Sequence, residues 1–223
     1  RSKVLRQYDR ESNVRIWEGV PAKVIRYICA AFSVYCIWVT LFSTMMPEEK
    51  LNLFLGLILI IGYLNYPVSK KHVRPNYIPW YDIVIMLIGA IPFFYCALHA
   101  HSIIKLASRV TRDPKMVAMA IVAILAYMEL CRRCVGIPIL CVVGVLLTYA
   151  FANVRFGKVI YDLFYTTTGI MGTPINVCAK YIVVFIIFGA FLERTGISAF
   201  FISLANSIAG ASAGGPAKVA VIS

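Results

Sequence analysis

Charge is scarce in this 223-residue sequence, and acidic charge scarcest: Asp and Glu number 10 against 22 Lys and Arg, with only 3 His. Charged residues make up 14% of the chain and hydrophobic ones 61%, a balance far from the soluble-domain average. No paired-carboxylate site, Walker-type glycine-rich loop or nucleophile elbow is present. Catalysis is therefore not expected. Any energy for moving a solute must come from an ion gradient or from a separate ATPase chain. Period-2 alternation is missing too, and the apolar segments reach 15 residues or more, whereas a membrane barrel shows alternating strands of roughly 10 residues. No internal repeat stands out.

What is abundant is apolar sequence in long runs, and the solvent that suits it is a bilayer, where helices satisfy their own backbone hydrogen bonds. The expected fold is all-α: a polytopic helical membrane protein with five to six spanning helices plus amphipathic or re-entrant connectors. The candidates run Tyr27–Thr44, Leu51–Val68, Ile83–His99 with a break at Pro92, Met116–Leu130, Ile137–Phe151 and Pro174–Glu193. A further helix, Ser198–Ala209, suits an interface or bundle packing. The net charge of +12 sits in short blocks between apolar runs, which reads as topology and not as a nucleic-acid face. Residues 1–26 carry seven Lys or Arg against three acids and read as a cytoplasmic arm with Ile16, Trp17 and Val20 as an interfacial patch. Lys70, Lys71, His72 and Arg74, and later Arg132 and Arg133, mark the same side by the positive-inside rule. The basic stretch 100–115 conflicts with strict alternation. No cleavable signal peptide is visible, and both ends look cut.

Few side chains in these runs invite chemistry. Five of the seven Cys lie inside apolar runs and behave as small hydrophobes, while Cys131 and Cys134 form a single CxxC pair, weak for zinc without a second pair. No metal is expected. His99 and His101 are candidates for a ligand pair or proton relay, with interfacial histidines as the bland alternative. Glu129 precedes Arg132 and Arg133 by i,i+3 and i,i+4 and reads first as a local ion pair. Lys180, one to two turns into an apolar helix, either snorkels to the interface or meets substrate. Gly169, Gly172, Gly189, Gly196, Gly210, Gly214 and Gly215 allow close packing and broken backbone at membrane depth.

The run LFYTTTGIMGTPINVCAKYIVVFIIFGAFLERTGISAFFISLANSIAGASAGGPAKVAVIS, residues 163–223, resembles the large membrane subunit of TRAP (tripartite ATP-independent periplasmic) transporters, specifically the fused permeases that work with TAXI-type receptors. FGAFLERTG (Phe188–Gly196), the helix Phe200–Ala205 and GGPAKVAV (Gly214–Val221) carry the resemblance, with Gly189, Glu193, Gly196, Gly214, Gly215 and Pro216 as the motif residues. WYD (Trp80–Asp82) and ELCRRCVG (Glu129–Gly136) are similar to the small-subunit-like half of such fusions. The resemblance implies a small-subunit-like membrane domain over 27–134 and the start of a large-subunit-like transport domain over 135–223. It further implies Na⁺-coupled uptake of small organic anions delivered by a periplasmic solute-binding receptor, in the inner membrane. Ion- and substrate-binding hairpins are expected mostly beyond Ser223. Lys180 departs from the resemblance, which leads to an uncharged residue there. The alternative is a non-transporting scaffold or assembly module.

Overall fold

The computed structural model describes Arg15, residues 17–68, 76–105 and 113–197, and Phe200, Ser203, Leu204 and Ser207. Eight α-helices are described: α1 (Val20–Phe42), α2 (Pro47–Asn65), α3 (Trp80–Lys105), α4 (Pro114–Cys134), α5 (Ile137–Asn153), α6 (Phe156–Phe164), α7 (Thr173–Val177) and α8 (Val183–Thr195), with a π-helical turn, Cys178–Ile182, between the last two. No strand occurs among the described residues. Five of the helices, α1, α2, α4, α5 and α7, carry Pro in their first two positions. A missing N–H is harmless there, and the fixed φ suits helix entry. Helix α1 accordingly starts at Val20 and not at Tyr27. Between α4 and α5 the chain turns at Gly136 with φ 107, a conformation that a Cβ disfavours.

Val20–Phe42, Trp80–Ile103, Pro114–Cys134 and Thr173–Thr195 are long and apolar enough to cross a membrane. Among the described residues that makes four where five or six are expected, for two separate reasons. Helix α2 carries Glu48, Glu49 and Lys50 in its first turn, and α5 is only 17 residues long. The break expected at Pro92 is displaced: Pro92 sits inside α3, and the non-helical backbone falls at His99 (φ −113, ψ 15). The helix expected over Ser198–Ala209 and the charged stretch near Arg109 fall largely outside the described residues, although Phe200, Ser203, Leu204 and Ser207 are helical.

The chain divides into two compact units, residues 1–177 and 178–223. In the first, α2 is the central helix, burying Leu51, Phe54, Leu55, Leu59 and Tyr63. Small residues let its neighbours approach. Ala90, Ala97 and Ala100 of α3 and Ala120, Ala123 and Ala126 of α4 are buried, and a Cβ built on Gly89 would lie 2.6 Å from that of Ala126. Close backbone approach of this kind is how helices associate in lipid, which offers no hydrophobic drive between them. Amphipathic α6 buries Val159, Ile160 and Phe164, and the Phe164 ring meets Phe93 of α3 at 5.2 Å. After α6, the Tyr165 hydroxyl donates to the Met116 carbonyl at 2.9 Å, tying this connector to the start of α4. Within the second unit, α8 has no buried residue.

Candidate functional site

Two places concentrate polar or irregular structure within apolar surroundings. The first lies at one end of the α2–α3–α4 bundle. Asp82 stands in the first turn of α3 and Arg133 in the last turn of α4, where helix dipoles favour an acid and a base respectively. The Arg133 guanidinium bridges them: Nη2 donates to Asp82 Oδ1 at 2.9 Å, Nε to Glu129 Oε1 at 2.9 Å, and Nη1 to the Tyr66 carbonyl at 3.3 Å. Its carbon sits 4.5 Å from the Tyr63 ring centre, a cation–π contact, and the Tyr63 hydroxyl donates to the Ala126 carbonyl at 2.9 Å. Arg15 donates through Nη2 to the other Asp82 oxygen, and its backbone N–H donates to the Asn65 carbonyl at 2.7 Å. Glu129 also accepts Nε and Nη2 of Arg132, both at 2.7 Å.

Burial grades this network. The Asp82 and Arg133 side chains are each 1% exposed and that of Arg15 4%, whereas Glu129 and Arg132 are 28% and 35% exposed. Charges so deep persist only when paired and hydrogen-bonded; removing one partner typically costs about 3–5 kcal/mol. The exposed Glu129–Arg132 pair contributes far less. The expected local pairing of Glu129 with its arginines is present. Its extension to Asp82 and Arg15 was not foreseen, although a lone acid opening an apolar helix is itself a signal that a cation must meet it.

The second place is the turn 165–172 and, separately, the helix beyond it. The Thr166 hydroxyl donates to the Asp162 carbonyl at 2.6 Å, and its oxygen lies 2.6 Å from that of Thr168. The Ile170 N–H donates to the Leu163 carbonyl at 2.8 Å, and Met171 is buried. A Cβ on Gly169 would fall 2.3 Å from the Leu163 oxygen and 2.4 Å from that of Asp162, so only glycine closes this turn. In the second unit, exposed Lys180 lies within the π-helical turn. Such single-turn π segments break the regular helical ladder and frequently mark functional sites. Helix α8 ends on Gly196, left-handed with φ 78, whose N–H meets the Glu193 carbonyl at 3.4 Å. Of the motif residues, Gly189, Glu193 and Gly196 therefore share one exposed helix end, and a Cβ on Gly189 meets nothing within 4 Å. Gly214, Gly215 and Pro216 lie outside the described residues.

The remaining candidates stay apart. His99 Nδ1 is 3.1 Å from the Tyr95 carbonyl, with its ring stacked on Tyr95 at 4.5 Å, and His101 is exposed. Cys131 and Cys134 are free thiols. Among the described residues, no group of three or more His, Cys, Asp or Glu could hold a metal ion.

Comparison with known families covers part of these features. Residues 122–223 match the family model of the tripartite ATP-independent periplasmic transporter, DctM component. The match supports a TRAP-type permease. It begins within α4 and takes in α5, α6, the Gly169 turn and the helix Thr173–Thr195, so the second place lies wholly inside the DctM-matching segment and the Asp82 end of the bundle only partly. No curated protein and no solved structure matches the chain. A match to a transporter family together with four apolar helices of spanning length among the described residues supports a multi-pass membrane protein.

Proposed function

We propose that this protein is the permease of a secondary TRAP transporter in the inner membrane, taking up a small organic anion handed over by its periplasmic receptor with Na⁺ as the coupling ion. The carrying observation is the DctM match over 122–223, in a chain whose sequence offers no nucleotide-binding loop. Ion coupling is then the available energy source. The glycine-closed turn, the π-helical turn and the Gly196 helix end supply irregular backbone of the type that transporters use to present helix termini and carbonyls to ions. Arg15, Arg132 and Arg133 gather at one end of the bundle, which supports that end as the cytoplasmic one. Uptake into proteoliposomes by the full-length protein tests the proposal. Accumulation should require the Na⁺ gradient and the receptor together, and uptake that persists without either overturns it.

A second reading applies to residues 27–134 alone. Their buried ion network favours a scaffold that holds the transport domain, 135–223, without binding solute. Both readings hold of one chain if the first part anchors and the second transports.

A further inference from the structure

Arg15 lies before the first helix, yet its side chain is 4% exposed and reaches Asp82, 67 residues away. Two backbone contacts seat the same short segment. The Arg15 N–H donates to the Asn65 carbonyl at the end of α2 at 2.7 Å, and the Glu18 N–H donates to Asn76 Oδ1, ahead of α3, at 2.9 Å. Arg15 and Glu18 thus bridge the end of α2 to the approach to α3, across the charged end of the bundle.

Two asymmetries set this segment apart from the helices it covers. Asp82 has a second buried partner in Arg133 at 2.9 Å, so withdrawal of Arg15 leaves no carboxylate alone. Arg15 itself is incompletely satisfied: its Nη1 is buried without a hydrogen-bond partner, as is the indole N–H of Trp17. Buried donors without partners are costly, and both recover water when the segment lifts. Gly19, with φ 71 and open space where a Cβ would stand, separates the segment from α1 at a residue free to change conformation. We propose that Arg15, Trp17 and Glu18 form a releasable strap over the charged end of the α2–α3–α4 bundle, pinned by Arg15 on Asp82. Release exposes the Asp82–Arg133 pair to water while the helices keep their packing.

Hydrogen exchange by mass spectrometry on the full-length protein in lipid nanodiscs tests this. In Arg15→Gln, peptides covering 15–19 should exchange faster by about tenfold or more, while amides of Leu51–Tyr63 and Ala90–Ala97 change by less than about threefold. Asn76→Ala, which removes the acceptor of the Glu18 N–H, should accelerate the strap in the same direction without moving the helices. Asp82→Asn should accelerate strap and helix ends together, because it takes the carboxylate from buried Arg15 and leaves buried Arg133 with Glu129 alone. Unchanged strap exchange in Arg15→Gln overturns the pin. Equal acceleration of strap and helices in both Arg15→Gln and Asn76→Ala overturns release, since the segment would then be an integral part of the bundle.

Discussion

The spans Trp80–Ile103 and Thr173–Thr195 are close in mean hydropathy, but 39% of the first one's apolar window is buried inside its unit and none of the second one's. Apolarity qualifies both for a bilayer without saying which faces protein. Residue size separates them. The first carries Gly89, Ala90, Ala97 and Ala100 where neighbouring helices approach, whereas the second lines its surface with exposed Phe185, Phe188 and Phe191. The first span also begins with a charge, Asp82, that is paired within its own unit. On this comparison, the α2–α3–α4 bundle is held by its own contacts, whereas the span Thr173–Thr195 buries none of its apolar window.

The largest expected effect breaks the charged end of the bundle. Asp82→Leu strands Arg15 and leaves Arg133 with Glu129 alone, and should cost about 3–5 kcal/mol, read as a lowered unfolding temperature in detergent and reduced yield of folded protein. A sharper form of the comparison uses one substitution at two glycines. Gly89→Ala places a methyl 2.6 Å from the Ala126 Cβ and should destabilise the bundle by roughly 1–3 kcal/mol through overpacking. Gly189→Ala meets open space and should be neutral or stabilising by at most about 1 kcal/mol, from helix propensity. Equal destabilisation at the two sites in parallel thermal melts would erase the distinction. The smallest effect is expected for Lys180→Thr. The side chain is exposed in a π-helical turn near the start of its span and can reach the interface, so transport should stay near normal; strong loss would place Lys180 at the substrate.

Much of this was legible in the sequence, and the gaps have physical causes. Apolar runs located all four helices of spanning length among the described residues, because length and hydropathy are local properties. Boundaries moved where a local feature outweighed the run, as at Pro21, which starts α1 early, and at His99, where the backbone departs from the helix in place of Pro92. The Glu129–Arg132–Arg133 pairing was readable from helical spacing. Asp82 and Arg15 were not assigned to it because the contacts span 51 and 67 residues, and sequence spacing carries no such information. The glycine cluster was visible as a set, but only geometry singles out Gly169, through carbonyl oxygens that leave no room for a Cβ. The π-helical turn around Lys180 had no sequence signature at all.

The claim that the charged end serves structure and not solute is tested most directly by removing its charge without leaving a partner stranded. In Arg15→Leu/Asp82→Leu/Arg133→Met, a buried ion cluster gives way to apolar side chains, an exchange that is often neutral or stabilising. The triple variant should fold, melt above Asp82→Leu alone, and retain receptor- and Na⁺-dependent uptake per folded molecule within about twofold of the parent. A triple variant that folds and binds receptor normally but has lost uptake would contradict the account, because the buried charges would then belong to the transport path.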